Sequence, residues 1–518
     1  MDYFDDFVQA LVLGRISSRN EVLKTKAQLC KKYGLARVPT NYEILERVPE
    51  EYRELAEPFL MNKPVRTLSG VAPVAVMTSP FDCPHGRCSY CPGGVSNNTP
   101  QSYTGREPAA LRASIYEYDP FMQTKSRLSQ LKAIGHRTDK VELIIMGGTF
   151  TSRDEEYQDW FVKRCFDAMN GSESSDLESA QISNELARSR CVGLTVETRP
   201  DWFNQHQVAR SMRLGATKVE FGVQILNDKI LDGVKRGHHT KEVVDATRRS
   251  KDAGLKVAYH MMPGLPGSDR AKDLASFKLM IEDERFRPDM LKIYPTLVVK
   301  GTELYGHWRA GAYSPPSLED TVELLAEVKK SVPPWIRILR IQRDIPVQLI
   351  EAGVKKSHLR ELVLRKLKED GTPCRCIRCR EIGHVPTSGD KVDKKDVLLR
   401  RTEYPASRGT EIFLSFEIPS IDSIIGYARL RIPGSSSSKA ALLRELHVYG
   451  QMVPISGKAG SRWQHRGFGE RLLLECESEA AGRGLAEVWV TSGVGARDYY
   501  RKFGYERKGP YMAKHVSA

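Results

Sequence analysis

The sequence Cys83-Pro-His-Gly-Arg-Cys88-Ser-Tyr-Cys91-Pro-Gly-Gly follows the apolar run Val71-Ala-Pro-Val-Ala-Val-Met77, which predicts a β-strand. Three cysteines this close together can place three thiolates at three corners of a cubane iron–sulfur cluster. One iron then stays open, and it can bind the amino and carboxylate groups of S-adenosylmethionine (SAM), which the reduced cluster cleaves to a carbon radical. A structural zinc loop and unligated buried thiols are the alternatives, because spaced cysteines also serve such sites. Pro-Gly-Gly favours the cluster, since it predicts an open, tightly turning backbone in place of a nearby fourth ligand.

The same pattern of strand, loop and helix recurs over residues 66–345. Strands that alternate with helices indicate parallel βα units, and six such strands fit a curved sheet or a partial barrel. Residues at the carboxyl ends of barrel strands converge on one mouth, and Gly147-Gly148-Thr149, Glu197 and Gln224 hold such positions. The predicted strands are 71–77, 141–146, 191–196, 218–222, 255–260 and 291–295.

The length of 518 residues is too great for one hydrophobic core. We predict a helical N-terminal segment over 1–65, the partial barrel over 66–345, a basic linker over 346–401 and a second α/β domain over 402–518. The first residues are acidic and the apolar runs are short, which argues against a secretory signal and a membrane span. We therefore expect a cytoplasmic protein with no membrane partner.

The net charge and the cysteine content indicate which partners and which kinds of site to expect. A formal net charge of +14 suggests a polyanionic partner such as RNA or DNA, and ten clustered cysteines argue for metal sites over disulfides. In the linker, Cys374-Arg-Cys376-Ile-Arg-Cys379-Arg-Glu-Ile-Gly-His384 has the ligand types and compactness of a closed tetrahedral zinc site. Such a site would hold together a linker that otherwise lacks an apolar core. A second iron–sulfur cluster or free thiols are the alternatives.

A second chemical pattern lies near the C-terminus. After the strand-like Glu445-Leu-His-Val448, the chain reads Gln464-His-Arg-Gly-Phe-Gly-Glu470 at the start of a helical run. Gln-x-x-Gly-x-Gly at a strand-to-helix junction resembles the pyrophosphate loop of the GCN5-related acetyltransferases. Its glycines permit close backbone approach, and free amides at the helix start can hold the pyrophosphate of coenzyme A.

The stretch Arg497-Asp-Tyr499-Tyr500-Arg-Lys-Phe-Gly-Tyr505 resembles the same acetyltransferase family. An aromatic hydroxyl near the thioester sulfur can protonate the leaving thiolate or orient it. We assign this catalytic role to Tyr500, with Tyr499 as the second candidate. Packing of either ring in the core is the alternative.

A SAM radical domain followed by an acetyltransferase domain is a rare combination, and the chain closely resembles the catalytic subunit of Elongator in its single-subunit prokaryotic form. The resemblance covers nearly the whole chain. Four residues separate the first two loop cysteines, where radical enzymes generally have three, and four is the prokaryotic Elongator pattern. Besides the C-terminal stretches, the matching strings are Gln101-Ser-Tyr-Thr-Gly-Arg-Glu-Pro108, Val141-Glu-Leu-Ile-Ile-Met-Gly-Gly-Thr-Phe150, Thr195-Val-Glu-Thr-Arg-Pro-Asp201, Met262-Pro-Gly-Leu-Pro-Gly267 and Arg340-Ile-Gln-Arg-Asp-Ile-Pro346.

The resemblance implies modification of the wobble uridine, position 34, of tRNA to 5-carboxymethyluridine. A 5′-deoxyadenosyl radical would take a hydrogen from the methyl of acetyl-CoA, the carbon radical would add to C5, and thioester hydrolysis would yield the carboxylate. The implied cofactors are a 4Fe–4S cluster, SAM and zinc, with acetyl-CoA as a substrate. The implied partner is the tRNA anticodon stem-loop. We expect a monomer or homodimer, with no auxiliary subunit evident from the sequence.

Residue roles carry over from the family position by position. The cluster ligands are Cys83, Cys88 and Cys91. The SAM positions are Gly147, Gly148, Thr149, Glu197 and Gln224, and the last two can equally be structural polar groups of the barrel mouth. The acetyl-CoA positions are Lys140, Glu445, Leu446, His447, Val448, Phe468, Gly469, Glu470 and Tyr500. Without the resemblance, Lys140 reads as a surface lysine.

For tRNA contact we assign Arg337, Arg340 and Arg343, beside the last barrel strand and the basic linker. Arginine suits phosphates and stacked unpaired bases, and an anticodon loop offers both. Internal ion pairs are the alternative for several of these arginines.

Two other classes of function compete with this interpretation. A protein lysine acetyltransferase would use the C-terminal domain and keep the radical domain as a scaffold, but the intact cysteine set and the positive charge argue against it. A noncatalytic RNA-binding assembly subunit would turn over neither cofactor.

Overall fold

The computed structural model describes residues 2–61, 67, 69–384, 396–435, 439–449 and 467–516. The helices are α1 (Tyr3–Val12), α2 (Arg19–Tyr33), α3 (Asn41–Arg47), α4 (Glu50–Leu60), α5 (Pro108–Ile115), α6 (Pro120–Ala133), α7 (Glu155–Asn170), α8 (Leu177–Asn184), α9 (Gln205–Arg213), α10 (Asp228–Gly233), α11 (Thr240–Asp252), α12 (Arg270–Glu282), α13 (Glu303–Arg309), α14 (Leu318–Ser331), α15 (Leu359–Glu369), α16 (Ile377–Arg380), α17 (Phe468–Ala481) and α18 (Arg497–Arg501). The strands are β1 (Ala72–Met77), β2 (Lys140–Met146), β3 (Arg190–Thr198), β4 (Lys218–Gln224), β5 (Lys256–Met261), β6 (Met290–Ile293), β7 (Val298–Val299), β8 (Arg337–Arg340), β9 (Ile350–Ala352), β10 (Leu398–Ala406), β11 (Gly409–Ile418), β12 (Ser423–Ile432), β13 (Ala440–Val448), β14 (Glu487–Val490), β15 (Glu506–Lys508) and β16 (Tyr511–His515).

Helices α1 to α4 form an N-terminal group around a small apolar core. Asp2 begins α1 with a capping box, in which its side chain accepts the Asp5 amide and the Asp5 carboxylate accepts the Asp2 amide. Thr40 and Glu43 form the same motif at the start of α3. The buried residues of this core include Tyr3, Phe7, Leu11, Ile44, Leu45 and Leu60.

The barrel sheet contains seven parallel strands in the order β1-β2-β3-β4-β5-β6-β8. Because β1 and β8 lie at opposite edges and do not pair, the sheet is a half barrel. All six predicted strands belong to it, and β8 is a seventh strand that the prediction missed. With the sequence Arg-Ile-Leu-Arg, β8 lacks the apolar run that marks the other strands.

The two faces of the barrel sheet differ in polarity. In β2, Val141, Leu143 and Ile145 are buried in the main core under the outer helices, whereas the alternate residues Lys140 and Glu142 are partly exposed on the inner face. Parallel strands usually read as continuous apolar runs because both of their faces are covered. The alternation shows that an apolar core does not fill the inside of this half barrel.

The C-terminal sheet has the order β10-β11-β12-β13-β14-β16-β15 and is antiparallel except for the pair β13–β14. Helix α17 packs on β12, β13 and β14. The parallel pairing of β13 with β14 ends at Leu443 and Val490. Because β14 ends at Val490, the rest of β13 has no described strand on that side.

The C-terminal sheet lies against the amino-terminal ends of the barrel strands. A Cβ atom on Gly493, just after β14, would lie 2.2 Å from the carbonyl oxygen of Val192 in β3, so only glycine permits this approach. At the start of β6, the buried Asp289 carboxylate binds the Arg444 guanidinium of β13. The two sheets therefore form one interlocked structure.

The linker contributes to the barrel core. Helix α15 buries Leu359, Val363 and Leu367 in the main core, next to Cys374 and Cys376. The expectation that this segment lacks an apolar core is wrong, because its helix packs on α14 of the barrel. Within the described part of the chain, no helix is both long and apolar enough to cross a membrane.

Candidate active site

The cysteine loop lies between β1 and α5, at the carboxyl end of the first barrel strand. The three loop sulfurs do not all lie within 4.8 Å of one another, whereas the sulfurs of Cys374, Cys376 and Cys379 do. Sulfurs around a tetrahedral zinc lie about 3.8 Å apart, because a Zn–S bond is about 2.3 Å long. Of the two cysteine groups, the linker sulfurs therefore have the compact spacing of a tetrahedral zinc site.

Polar side chains approach the loop sulfurs. The Gln101 amide donates a hydrogen bond to the Cys91 sulfur over 3.4 Å, and the Thr149 hydroxyl lies 3.5 Å from the Cys83 sulfur. Burial raises the pKa of both thiols. Cluster ligands are thiolates, so hydrogen-bond donors at these sulfurs favour the form that binds iron. The three cysteines and the hydrogen-bond donors beside them are therefore suited to hold an iron–sulfur cluster.

Two buried arginines beside the loop were missed by the sequence analysis. Arg236 Nη1 lies 3.7 Å from the Cys88 sulfur, and Arg199 donates to the Arg236 carbonyl over 2.8 Å. Burial, together with these two charges, lowers the pKa of His85 to about 3, so its imidazole is neutral. His85 Nε2 lies 3.2 Å from the Cys88 sulfur. Arg199 lies within Thr195–Asp201, one of the stretches that resemble the family, whereas no motif in the sequence points to Arg236.

Gly147 and Gly148 turn the chain sharply at the carboxyl end of β2. Their φ angles are +127° and +102°, and a Cβ atom on Gly147 would lie 2.2 Å from the Thr78 hydroxyl oxygen. These positions therefore require glycine. The turn brings Thr149 to the cysteine loop and leaves peptide groups at the barrel mouth.

Gln224 and Glu197 lie at the ends of the next two strands. Gln224 has a φ of +74°, and its buried Oε1 atom has no hydrogen-bond partner among the described residues. A strained backbone with an unpartnered polar atom at a barrel mouth suits a ligand-binding residue. Glu197 is already engaged, because it accepts from the Tyr103 hydroxyl over 2.9 Å and pairs with Lys292 over 3.2 Å.

The inner face carries a chain of charged side chains below the mouth. Lys292 contacts Glu220 as well as Glu197, and Glu220 lies 2.8 Å from His260 Nε2. The ligand atoms of Glu197, Glu220 and His260 lie close enough to hold a metal ion. The Lys292 ammonium already pairs with both carboxylates, so this group contains its own cation.

This charged chain continues to the amino-terminal end of the barrel. Lys218 pairs with Glu220 over 3.4 Å and with Glu142 over 2.6 Å. Burial alone would raise the pKa of Glu445, but the charges of Lys256 and Arg429 outweigh it and hold the pKa at about 2. The inner face thus connects the cysteine loop with β13 of the other domain. Lys140, at the amino end of β2, lies at this lower end, and burial lowers its pKa.

The predicted acetyl-CoA positions of β13 lie beyond the end of its pairing with β14. From Glu445 to His447, β13 pairs with β12 alone among the described strands, and Leu446 lies opposite Ala428. An unpaired strand edge offers amide and carbonyl groups to an extended ligand such as a pantetheine arm. His447 Nε2 lies 2.9 Å from the Ser69 carbonyl oxygen, which connects this edge to the barrel side.

Helix α17 begins beside the two candidate tyrosines. Gly467 caps it with a φ of +83°, and Phe468, Gly469 and Glu470 form its first turn. A Cβ atom on Gly469 would lie 2.7 Å from the Tyr499 hydroxyl, so this glycine makes room for the ring. The rest of the predicted pyrophosphate loop, Gln464 to Arg466, lies outside the described residues.

The tyrosines differ in their surroundings. Tyr500 is buried, with its ring 5.3 Å from that of Tyr499, and its hydroxyl has no hydrogen-bond partner among the described residues. Burial raises its pKa, and it raises the pKa of Tyr499 to about 12. Both hydroxyls are therefore protonated near neutral pH and can donate a proton.

The linker cysteines come together, but His384 does not join them. The sulfurs of Cys374, Cys376 and Cys379 form a compact group, and Lys329 donates to the Cys379 sulfur over 3.5 Å. The His384 imidazole instead lies 3.7 Å from the Glu381 carboxylate. The assignment of His384 as a ligand of this site is therefore wrong in the described geometry, because the side chain is directed to an acidic neighbour.

The three candidate RNA-binding arginines also differ in their surroundings. Arg337 is buried and donates to Glu381 over 3.0 Å and to the Tyr449 hydroxyl, so its charge is neutralised inside the domain interface. This removes Arg337 from the RNA-binding set. Arg340 pairs with Asp344 at the surface, and Arg343 donates to the Ser102 carbonyl beside the cysteine loop.

Comparison with known families divides the chain in the same order. The ELP3 N-terminal domain matches residues 1–68, the Radical SAM superfamily 78–278, the Radical SAM C-terminal domain 288–369, and the Acetyltransferase (GNAT) family 387–505. The half barrel is thus a radical SAM domain, and the C-terminal sheet belongs to a GNAT domain.

Whole proteins match over almost their full length. A "tRNA uridine(34) acetyltransferase" of Methanocaldococcus jannaschii is 50% identical over 96% of this chain and 94% of its own length. "Elongator complex protein 3" of Homo sapiens is 43% identical over 95% of this chain and 92% of its own length. The solved structure of Methanocaldococcus infernus Elp3 with an N-terminal deletion is 45% identical, covers 87% of this chain and all of that one, and has a TM-score of 0.77. The chain therefore belongs to the Elp3 family, whose members join a radical SAM domain to a GNAT domain.

Proposed function

We propose that this protein converts the wobble uridine of tRNA to 5-carboxymethyluridine, with acetyl-CoA and SAM as co-substrates. The observation that carries the proposal is the placement of two sites at opposite ends of one half-barrel interior. The cysteine loop lies at the carboxyl ends of the strands, and the edge of β13 that no described strand pairs with lies at the amino ends. The names of the archaeal relatives support tRNA uridine(34) as the target.

The residues at the mouth are suited to hold a cluster and SAM. Cys83, Cys88 and Cys91 would be the iron ligands, and a bound 4Fe–4S cluster would supply the electron that cleaves SAM to methionine and a 5′-deoxyadenosyl radical. Peptide groups of the Gly147–Thr149 turn and the unpartnered Gln224 Oε1 can orient the methionine moiety.

The GNAT domain is suited to hold acetyl-CoA. The amides at the start of α17 can bind the pyrophosphate, and the β13 edge from Glu445 to His447 can bind the pantetheine arm. The acetyl methyl loses a hydrogen atom, the carbon radical adds to C5 of the base, and hydrolysis of the thioester leaves the carboxylate. A Tyr500 hydroxyl near the sulfur would protonate the departing thiolate, with Tyr499 as the second candidate.

The linker cysteines are suited to a structural zinc ion. Three sulfurs within 4.8 Å of one another match the spacing around tetrahedral zinc. Burial alone would lower the pKa of Lys329, but the three neighbouring sulfurs as thiolates raise it. A charged lysine beside these sulfurs stabilises the thiolate form that metal requires. Zinc here would join the linker to the barrel core.

Reconstitution under anaerobic conditions tests the function. The protein receives reductant, SAM, unmodified tRNA and acetyl-CoA with a deuterated methyl group. We expect 5-carboxymethyluridine together with 5′-deoxyadenosine that contains deuterium. Deuterium-free 5′-deoxyadenosine would contradict the radical step, and acetyl-lysine without modified uridine would favour a protein acetyltransferase.

A further inference from the structure

The inner face of the half barrel carries a single histidine. His260 is the only histidine in the seven barrel strands, and it precedes the last residue of β5. Its side chain keeps 15% of its surface exposed, whereas that of its partner Glu220 keeps 1%. The imidazole is therefore the accessible member of a buried histidine–carboxylate pair.

The contacts of this pair show which nitrogen of the imidazole carries the hydrogen that Glu220 accepts. Burial alone would raise the pKa of Glu220, but the charges of Lys292 and Lys218 outweigh it and lower the pKa far below the usual range. An ionised carboxylate can only accept, so the Nε2–H group of His260 donates to it over 2.8 Å. In the neutral imidazole the Nδ1 atom then carries the lone pair, and Nδ1 has no hydrogen-bond partner among the described residues.

Other groups around His260 are poor proton acceptors. Lys292 lies opposite it in β6 and pairs with two carboxylates, which raises the lysine pKa despite its burial. Glu220 and Glu197 both pair with that ammonium, and Glu220 also pairs with Lys218. The Tyr294 ring stands edge-on to the imidazole at 5.6 Å, and burial raises its pKa. Among these side chains, His260 alone offers an uncommitted basic nitrogen.

The position of His260 is linked to the cysteine loop by direct contacts. Glu220 contacts Lys292, Lys292 pairs with Glu197, and Glu197 accepts from Tyr103. Tyr103 follows Gln101, whose amide reaches the Cys91 sulfur. The imidazole thus lies within the network that supports the candidate SAM site.

The proposed reaction releases one proton that needs an acceptor. One electron cleaves the SAM sulfonium to neutral methionine and 5′-deoxyadenosyl, which becomes 5′-deoxyadenosine by taking a methyl hydrogen of acetyl-CoA. Addition of the carbon radical to C5 leaves the unpaired electron at C6 and the original hydrogen on C5. Restoring the C5–C6 double bond releases one electron and one proton. A cluster bound by Cys83, Cys88 and Cys91 would supply the first electron and take this one back, so the cycle would be redox-neutral.

We propose that His260 Nδ1 accepts the C5 proton of the uridine, while Glu220 holds the ring and stabilises the imidazolium that forms. This assignment rests on the proposed function and names a catalytic base for it. A carboxylate behind an imidazole sets the tautomer and the orientation of the ring in general-base catalysis. The proton can leave His260 for solvent through its exposed side.

The test measures the ratio of 5′-deoxyadenosine to modified uridine that the reconstituted enzyme forms. In the wild type we expect one 5′-deoxyadenosine for each modified uridine. Gln keeps an amide donor for Glu220 but cannot accept a proton, so His260→Gln should raise the ratio about tenfold or more, as general-base catalysis is worth about 100-fold or more. A deuterium isotope effect with C5-deuterated uridine should appear in the variant, and freeze-quenched samples should show a nucleoside radical by electron paramagnetic resonance.

A matched control is the pair of His206 and Glu155, in which Nε2 lies 2.6 Å from the carboxylate on the exposed surface. His206→Gln should keep the wild-type ratio. In His260→Ala, added imidazole should lower the ratio again. A ratio near one in His260→Gln, with both products reduced together, would overturn the proposal in favour of a structural role. Absence of modified uridine in the wild type would instead overturn the proposed function itself.

Discussion

The Arg444 guanidinium donates two hydrogen bonds to the Asp289 carboxylate, at 2.5 and 2.8 Å, and neither side chain exposes any surface. Arg444 belongs to the GNAT sheet and Asp289 to the barrel. Glu411 accepts a further bond from Arg444 over 2.8 Å, and the Lys251 ammonium lies 3.6 Å from both acids. This buried group holds the β13 edge against the amino ends of the barrel strands, and separating the domains would leave charges without partners.

Replacing Asp289 with Ala should lower the free energy of unfolding by about 3–5 kcal/mol, since the buried charges of Arg444 and Lys251 would then share Glu411 alone. Urea denaturation followed by circular dichroism measures this. As a control, Arg270→Ala breaks a pair with Glu327 whose side chains are 48% and 39% exposed, and it should cost at most about 1 kcal/mol. Equal losses in the two variants would contradict the interlocked interface.

Gly147→Ala should weaken SAM binding about tenfold or more. The added Cβ atom would lie 2.2 Å from the Thr78 hydroxyl at a φ of +127°, and such strain costs about 1–3 kcal/mol. Isothermal titration with SAM on anaerobically reconstituted protein gives the affinity. Gly171→Ala is the control, because its φ is also positive but nothing lies within 4 Å. Unchanged affinity in Gly147→Ala would remove this turn from the SAM site.

Tyr500→Phe should slow the release of free coenzyme A about 100-fold, because the thiolate would lose its proton donor. A thiol-reactive dye follows the release. Tyr505→Phe is a matched control, since its hydroxyl donates to Glu477 of α17 over 2.9 Å and supports the helix from the side. If Tyr499→Phe shows the large effect and Tyr500→Phe does not, the two tyrosines exchange roles.

The linker should contain one zinc per chain, and Cys376→Ser should abolish it without changing the iron content. Elemental analysis after reconstitution measures both metals. Cys165→Ser changes a buried cysteine outside the group and should keep the zinc. His384→Ala should also keep it, because this imidazole lies beside Glu381. Loss of zinc in His384→Ala would restore that residue as a ligand.

Arg340→Ala should weaken tRNA binding and reduce the slope of log affinity against log salt by about 1, as loss of one phosphate contact does. Arg340 keeps half of its side chain exposed. Arg337→Ala should instead lower stability with little change in the salt slope, because Arg337 is paired inside the protein. Fluorescence anisotropy at several salt concentrations separates the two. An unchanged slope in Arg340→Ala would exclude it as a phosphate contact.

Local chemistry was readable from the sequence. The cysteine spacing from Cys83 to Cys91 and the Gly147-Gly148 turn depend on neighbours in the chain, so candidate roles for them could be predicted from residue type and distance along the backbone. The strands of the barrel were found by their apolar runs. The short strand β8 was missed because its two arginines interrupt the apolar pattern by which strands were predicted. Its pairing with β6 shows that it is a strand.

The sequence by itself determined the class of the two domains, the cysteine groups and the candidate ligand positions, because each is encoded within a few dozen consecutive residues. Only the tertiary structure decided which charges meet. Asp289 with Arg444, Glu220 with His260, and Arg337 with Glu381 are pairs brought together by strand register and domain packing. A charged residue reads the same in a sequence whether it faces water or a buried partner, and only packing removes the water.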